Sequence, residues 1–339
     1  MTAAPALSVE GLSVEFRTRS GIVRALDNIS FSVGEGETIA LVGESGSGKS
    51  VTAYAVMGIL DPAGRVSGGR AMLGDLDLLS AKPKELDQIR GRKIAMIFQN
   101  PRTALNPIRP VGRQIGDVLI RHGNVSRRAA PAQAVEMLRA VGITDPVRRA
   151  KAYPFEMSGG MCQRVMIAVA LAAKPSLLIA DEPTTGLDVT TQAVIMDLIN
   201  DLATELGMAT IFITHDLALA GQRSARIVVM HAGHVVENAP TRELSENPRH
   251  PYTAELIAAT PDSAASLDEL AAIPGSLPDL RRTDLPPCRY SERCPRKLAA
   301  CAQPLPRAAP GATHIVACWN PLPERRAAPV VNAPTVSAA

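Results

Sequence analysis

The sequence predicts an α/β domain built around a mostly parallel sheet, with a helical insertion and a small, loop-rich C-terminal domain that carries cysteines. Three observations predict this. Short apolar runs alternate with segments of helical period, one internal stretch lacks strand signals, and prolines become frequent after about residue 237. The chain has 339 residues, which is more than one hydrophobic core usually serves and therefore favours two domains.

Composition argues against several classes of protein. The formal net charge is +3 and aromatic residues make up 3% of the chain, so we expect no nucleic-acid partner and no base-stacking surface. The longest apolar run, residues 165–173, is about half of the roughly 20 residues that cross a bilayer. The first ten residues lack the basic flank and apolar block of a signal peptide, so we expect a cytoplasmic protein.

Four short apolar runs predict strands buried on both faces, because each is apolar throughout and ends at a polar or glycine-rich turn. They are residues 38–42, 94–98, 177–180 and 210–213. Ligand sites are expected at the carboxyl ends of such parallel strands. Residues 226–236, with a turn at 231–234, are typical of an antiparallel hairpin that closes this domain, which we assign to residues 1–237.

Helical periodicity without strand signals predicts a helical subdomain at about residues 100–175. Residues 238–323 are proline-rich, with one helix expected at 252–258, and form the predicted second domain. The segment 324–339 consists largely of alanine, proline and valine without periodicity, so we expect disorder there.

The segment from residue 43 to residue 50 reads GESGSGKS and matches G-x-x-x-x-G-K-[ST] between a predicted strand and a helix beginning near Ser50. Its glycines let successive N–H groups surround phosphate oxygens, Lys49 can reach the β- and γ-phosphates, and the Ser50 hydroxyl can ligate Mg²⁺. A merely flexible turn is the alternative, but the order of strand, motif and helix disfavours it. The predicted nucleotide contacts are Gly43, Ser45, Gly46, Ser47, Gly48, Lys49, Ser50 and Val51.

Polar side chains follow the other predicted strands. Asp181 and Glu182 end the strand at 177–180, where Asp181 can hold Mg²⁺ and Glu182 can position or deprotonate an attacking water. The alternative is a solvated acidic turn. His215 follows the strand at 210–213 and is expected near the γ-phosphate rather than as a surface residue. Gln99, at the entrance to the helical insertion, is a neutral amide able to touch both Mg²⁺ and water.

Residues 157–164 read MSGGMCQR and lie shortly before Asp181. This segment resembles the signature loop of ABC-type ATPases, and Gln99, the sequence EPTTGLD at 182–188 and His215 complete that family's order of motifs over residues 7–237. The resemblance implies a P-loop ABC-type nucleotide-binding domain, with a RecA-like core, an antiparallel β subdomain and a helical subdomain. It implies ATP and Mg²⁺ as cofactors and ATPase activity.

The resemblance also implies a head-to-tail pair of nucleotide domains. Each ATP then lies between the phosphate loop of one chain and the signature loop of the other, here Ser158, Gly159 and Gly160. Ser158 is a natural N-cap, so it offers a second helix N-terminus to an anion. Asp188 is expected to hydrogen-bond across the dimer and also to cap its own helix. Phe16 falls where the family stacks an aromatic ring on adenine, with a core phenylalanine as the alternative.

Further motifs resemble the C-terminal extension of ATPase subunits from dipeptide and oligopeptide importers. They are HPYT at 250–253, IPG at 273–275 and four cysteines within residues 288–318. This resemblance implies a motor subunit peripheral to the cytoplasmic face of the membrane. Its implied partners are a second ATPase subunit, with a heterodimer favoured, two transmembrane permease subunits and, through them, an extracytoplasmic peptide-binding protein.

The four cysteines have the spacing C-x5-C-x6-C-x16-C and comprise Cys288, Cys294, Cys301 and Cys318. Four thiolates suit zinc or an iron-sulfur cluster, and the spacing is looser than that of zinc knuckles. The family resemblance implies a 4Fe-4S cluster in at least some members, so we expect that cluster, with Zn²⁺ as the main alternative and free thiols or disulfides as a lesser one. Cys162 lies outside this set and is expected to pack in the core.

Three other functions fit the motifs less well. ATPase heads that resemble those of chromosome and DNA-repair proteins carry hundreds of coiled-coil residues between the Gln99 region and the signature loop, where this chain has only 58. Related translation factors have two nucleotide domains in one chain. A metal-sensing protein would leave the complete set of catalytic residues unexplained. The sequence therefore favours an ATP-driven importer motor.

Overall fold

The structure is a computed structural model that describes residues 5–260, 272–306 and 312–324. The predicted disordered tail lies outside these residues except for Glu324. Within the described part of the chain, no helix combines the length and the apolar character that a bilayer crossing requires.

The central element is a seven-stranded sheet in the order β11-β10-β9-β3-β8-β7-β6. Strands β6, β7, β8, β3 and β9 pair in parallel, whereas β9 and β10 form an antiparallel hairpin. The interior strands are buried along almost their whole length, which explains their uninterrupted apolar sequence. The bounds are β3 Thr38–Val42, β6 Ile94–Ile97, β7 Leu177–Asp181, β8 Ala209–Thr214, β9 Arg226–His231, β10 His234–Pro240 and β11 Ile315–Val316.

The four predicted strands and the hairpin are therefore present, with ends that shift by one residue or a few. A second, antiparallel sheet in the order β2-β1-β4-β5 covers one side of the core, as the family resemblance implied. Buried apolar residues of β1 and β2 share a hydrophobic cluster with β3 and the first helix. The strands of this sheet are β1 Leu7–Thr18, β2 Gly21–Val33, β4 Gly64–Leu73 and β5 Leu76–Asp77.

Eleven α-helices are present in the described residues. Five of them, α3 to α7, lie between β6 and β7 and occupy the segment where we predict a helical subdomain. The helix expected near Ser50 begins at Lys49, and the one expected at 252–258 begins at Pro251. The bounds are α1 Lys49–Met57, α2 Pro83–Ile89, α3 Pro101–Ala104, α4 Val111–His122, α5 Ala130–Ala140, α6 Pro146–Arg149, α7 Gly159–Leu171, α8 Val189–Glu205, α9 Leu217–Arg223, α10 Thr241–Glu246 and α11 Pro251–Ala258.

The described parts of the C-terminal extension, residues 238–260, 272–306 and 312–324, pack directly on the nucleotide domain. Strand β11 adds to the edge of the main sheet by pairing with β10. Buried Glu237 accepts hydrogen bonds from the backbone N–H groups of Arg249 and His250 at 2.7 and 2.9 Å, and lies 2.7 Å from Nε2 of His314. The boundary that the sequence suggested after residue 237 consequently falls inside β10, because the extension completes the sheet edge rather than starting a separate core.

Candidate nucleotide-binding site

The phosphate loop joins β3 to α1 and depends on its glycines. Gly43, Gly46 and Gly48 have φ angles of 152°, 82° and 107°, in the region that favours glycine. A β-carbon on Gly43 would lie 2.1 Å from the carbonyl oxygen of Met230, and one on Gly48 would lie 2.6 Å from Leu26. The loop is thus pressed against β9 and β2, which fixes its backbone N–H groups around the N-terminus of α1.

Lys49 is the buried cation of this loop. Its side chain is 5% exposed, and Nζ donates hydrogen bonds to the carbonyl oxygens of Gly43 and Glu44 at 2.8 and 3.0 Å. Burial lowers the pKa of Lys49, while the nearby carboxylates of Glu182, Asp181 and Glu44 oppose that shift. The ammonium group therefore lies inside the phosphate loop, where a bound phosphate would be.

Ser50 and Asp181 meet beside the loop. The Ser50 hydroxyl donates to Asp181 Oδ1 at 2.9 Å, and Asp181 is buried at the end of β7. Burial, followed by the charge of Glu182, raises the pKa of Asp181. Its Oδ2 atom makes no hydrogen bond of ordinary geometry with the described residues, although the Tyr54 hydroxyl is close enough to influence the carboxyl. An unsatisfied buried carboxylate oxygen next to a hydroxyl fits a Mg²⁺ ligand.

Glu182 occupies the centre of a polar cluster. Its Oε2 accepts hydrogen bonds from Gln99 Nε2 at 2.8 Å and from Thr185 Oγ1 at 3.0 Å, and its Oε1 lies 3.4 Å from His215 Nδ1. The backbone of Glu182 has a φ of 42°, which a side-chain-bearing residue adopts only under constraint, and its N–H donates to the Ile213 carbonyl. The strands β6, β7 and β8 thereby bring together the three predicted catalytic side chains.

An open cavity of about 520 Å³ lies over the phosphate loop. Its lining combines the aromatic ring of Phe16, on β1, with the polar side chains of Gln99 and Glu182, so both a group able to stack on a base and groups able to act on phosphates border the same cavity. Gly43 and Ser47 of the loop are buried and do not line the cavity. The predicted residues in the lining are Phe16, Ser45, Gly46, Gly48, Lys49, Ser50, Val51, Gln99 and Glu182.

The signature loop does not take part in this cavity. Ser158 caps α7, with its Oγ accepting from the Met161 N–H at 3.3 Å, and it is exposed. Gly159 and Gly160 start the same helix and likewise lie outside the lining. Asp188 caps α8 by accepting from the Thr191 N–H and hydroxyl at 2.9 and 2.7 Å, which lowers its pKa. The capping role predicted for Asp188 is confirmed.

Sequence reasoning missed several residues of this site. Thr185 contacts Glu182 from within the EPTTGLD segment, where a hydroxyl three residues after the base was the available signal. Leu280, from the C-terminal extension, lines the cavity and carried no local signal at all. The remaining missed lining residues are Thr18, Val23 and Ala25.

The four C-terminal cysteines are near one another but do not form a recognised metal site. Burial, and then the neighbouring thiols Cys301, Cys318 and Cys294, raise the pKa of Cys288 to about 11. In the described residues, no group of three or more His, Cys, Asp or Glu side chains is arranged to hold a metal ion. The expected 4Fe-4S cluster therefore stays a prediction. Cys162 is fully buried, as expected for a packing residue.

Comparison with known proteins agrees with the geometry of the site. Residues 26–185 match the family model described as "ABC transporter". Residues 236–301 match the model described as "Oligopeptide/dipeptide transporter, C-terminal region". A solved ATP-binding cassette, described as a dimer in a post-hydrolysis state bound to ADP and Pi, has a TM-score of 0.63 and 29% identity, covering 70% of this chain and 99% of its own.

Curated relatives extend the similarity over nearly the whole chain. A putative peptide import ATP-binding protein of Brucella melitensis is 46% identical over 303 residues, covering 89% of this chain and 91% of the relative. The dipeptide transport ATP-binding protein of Bacillus subtilis is 44% identical over 319 residues, covering 92% and 94%. The oligopeptide transport ATP-binding protein OppD of the same organism is 48% identical, covering 81% and 77%. The chain therefore belongs to the ABC transporter ATPase family, in the group that carries the oligopeptide/dipeptide transporter C-terminal region.

Proposed function

We propose that this chain is the ATP-hydrolysing motor subunit of an importer for dipeptides or oligopeptides. The observation that carries the ATPase part is the convergence of Gln99, Glu182 and His215 beside the phosphate loop. The import part rests on the relatives, whose names describe peptide import or dipeptide transport, and on the oligopeptide/dipeptide transporter C-terminal region that this chain matches.

The chemistry follows from positions within the cavity. Ser50, Asp181 and Gln99 would hold Mg²⁺, which supplies positive charge to the phosphates when bound. Glu182 orients a water for attack on the γ-phosphate and accepts its proton, while Gln99 and Thr185 hold the carboxylate in place. Lys49 exchanges its hydrogen bonds to the loop carbonyls for hydrogen bonds to the phosphate oxygens, so its charge is available without a change in the conformation of the loop.

A second ATPase subunit completes the site in this proposal. Ser158 and Asp188 are exposed caps of helices that do not line the cavity of their own chain. Two chains packed head to tail would place the α7 N-terminus of one against the nucleotide of the other, where the helix dipole favours phosphate. The second subunit is proposed to be a related chain rather than a copy.

The helical subdomain is the proposed contact with the permease. Four large apolar side chains are exposed there, with Ile108 at 82%, Phe155 at 75%, Val147 at 59% and Ile120 at 37%. An open groove of about 780 Å³ between α4, α5 and α6 lies beside Val147 and Ile120. Exposed apolar residues around a groove are typical of a protein interaction site. Docking here would hold the chain at the cytoplasmic face of the membrane, with an extracytoplasmic peptide-binding protein delivering substrate to two permease subunits.

Co-purification from detergent-solubilised membranes tests this function. We expect the tagged chain to retain two permease subunits and a second ATPase subunit, and we expect ATP hydrolysis by that complex in vesicles to rise when peptide-loaded binding protein is added. Ile108→Ser with Phe155→Ser should release the permease subunits while leaving ATP binding intact. Recovery of active chain without permease subunits would contradict the importer assignment.

The cysteines are proposed to hold a soft metal centre, an iron-sulfur cluster in preference to zinc. The sulfur of Cys318 accepts a hydrogen bond from the Asn320 N–H at 3.3 Å, and that of Cys301 from the Leu298 N–H at 3.4 Å. Such donors stabilise thiolates in cysteine-ligated centres. Iron and sulfide analysis of protein purified without oxygen tests this proposal, and stoichiometric zinc without visible absorption would replace the cluster with zinc.

A further inference from the structure

The C-terminal extension touches the phosphate loop through Glu44, the second residue of the GESGSGKS segment. Arg293, from the extension, donates to both carboxylate oxygens of Glu44, at 2.7 Å from Nη1 and 3.0 Å from Nη2. The N–H of Glu44 donates to the Tyr252 hydroxyl at 3.0 Å. The Glu44 carbonyl accepts from Lys49. Two of the three polar groups of Glu44 are therefore satisfied by the extension.

Arg293 is itself held in a fixed position. Its side chain is 5% exposed, compared with 27% for Glu44. Its Nε donates to the Pro274 carbonyl at 2.8 Å, and its Nη1 lies 3.2 Å from Nε2 of buried His231. The guanidinium also lies over the Tyr290 ring, 5.7 Å from its centroid. A bidentate pair that is this enclosed and this well oriented is stronger than an exposed ion pair.

The extension also approaches the cavity at two further points. Leu280 lines the cavity, and its carbonyl accepts from the Arg24 N–H at 3.1 Å. A methyl carbon of Leu277 lies 3.4 Å from where a β-carbon on Gly46 would be. These contacts come from residues 277–293, so the pairing of Arg293 with Glu44 is one of several contacts that this segment makes with the phosphate loop and the cavity.

The charge of Glu44 explains why this pairing matters for nucleotide. Its carboxylate is close enough to Lys49 to oppose the lowering of that lysine's pKa by burial. Glu44 is itself a residue of the phosphate loop, and its carbonyl accepts from Lys49 Nζ, so its charge lies beside the phosphates that this loop would hold, although it does not line the cavity. Like charges repel one another more strongly in a partly buried site than in water. Arg293 supplies the compensating positive charge without occupying the cavity.

We propose that Arg293 is a positioning residue for nucleotide: by neutralising Glu44 it allows the phosphate loop to hold a triphosphate, so that the C-terminal extension sets the affinity for ATP. This inference rests on the ATPase assignment and not on peptide import. The chemical class of the ligand is unchanged. What is new is that a residue 249 positions away in the sequence controls the phosphate loop.

The test measures ATP affinity by titration calorimetry with the full chain, in the absence of hydrolysis. Arg293→Ala should weaken ATP binding about tenfold, because it exposes the nucleotide to the uncompensated carboxylate. Glu44→Gln should bind ATP more tightly than the wild type, because Arg293 then leaves a net positive charge beside the phosphates, and Glu44→Gln combined with Arg293→Ala should recover most of the lost affinity. In about 1 M salt, where the screening length falls to about 3 Å, the defect of Arg293→Ala should shrink.

Opposite changes in ATP affinity for the two single variants distinguish charge compensation from a purely structural role of the pair. If the pair only held the loop in shape, breaking it from either side would weaken ATP binding alike, and the double variant would not recover; that result would overturn the proposal. Arg282→Ala is the matched control, because Arg282 pairs with Asp284 and Glu292 inside the extension and should leave affinity unchanged. Wild-type protein that fails to bind ATP would instead contradict the ATPase assignment, and a circular dichroism melt separates both outcomes from misfolding.

Discussion

The phosphate loop and the signature loop are both glycine-containing turns that lead into a helix N-terminus, yet the chain supports them differently. The phosphate loop packs closely against β9, accepts a hydrogen bond from the Lys49 ammonium group and donates one to the Tyr252 hydroxyl of the C-terminal extension. The signature loop has the Ser158 cap and is exposed. One half of the proposed nucleotide site is therefore preorganised within the chain, and the half proposed to contact a partner's nucleotide faces outward.

The largest expected effect concerns Glu182, which belongs to the preorganised half. Glu182→Gln should lower ATP turnover at least about a hundredfold, because the amide keeps the hydrogen bonds and the shape but cannot accept a proton. ATP binding and ATP-dependent pairing of the subunits should persist. Phosphate release and size-exclusion chromatography measure the two quantities.

Thr185→Val is a useful comparison for this variant, since it removes a hydroxyl that supports Glu182 and leaves the carboxylate itself. We expect a smaller loss of turnover than for Glu182→Gln. Turnover of Glu182→Gln within about threefold of the wild type would show that another group acts as the general base.

The proposed role of the signature loop is tested at Ser158. Ser158→Asp keeps an N-cap but places a negative charge where a partner's nucleotide would bind, so ATP-dependent association with the co-purifying ATPase subunit should weaken at least about tenfold. Ser158→Asn also keeps the cap and adds no charge, so it should associate almost normally. Both variants should bind ATP within about twofold of the wild type as separate chains. Equal association of the two variants would contradict a phosphate contact by this loop.

The smallest expected effect is a loss of stability at acid pH. It concerns His250, whose ring accepts from the N–H of Tyr252, the residue that contacts the phosphate loop. Buried His250 caps α11 by accepting from the Tyr252 N–H, and burial lowers its pKa to about 4. The folded protein keeps His250 neutral, whereas the unfolded chain protonates it below its ordinary pKa of 6.5. The free energy of unfolding therefore falls as the pH decreases from about 6.5 toward 4, by at most about 1.4 kcal/mol per pH unit.

His250→Asn keeps a capping side chain and removes this titration. Between pH 7 and pH 5 the variant should lose about 2 kcal/mol less stability than the wild type, as measured by urea unfolding. If the free energy of unfolding of His250→Asn changed with pH as steeply as that of the wild type, His250 would not be buried in its neutral form.

Short sequence patterns were enough to predict much of the fold and the polar side chains of the site. The strands β3, β6, β7 and β8 were predictable because each is an apolar run that must be buried on both faces. Lys49 was predictable from the GESGSGKS motif, and Asp181, Glu182 and His215 were predictable because they follow those strands, and parallel strands end at one edge. Each of these inferences needs only neighbours in the sequence.

Tertiary structure alone decided how distant segments meet. The pairing of Arg293 with Glu44, the entry of Leu280 into the cavity and the addition of β11 to the main sheet join residues far apart in sequence. Sequence patterns report periodicity and short spacing, whereas these contacts arise from the packing of the extension on the sheet edge, which depends on the shape of the whole domain. Local sequence thus identified the groups that we propose perform the chemistry, and the folded chain determined which charges surround them.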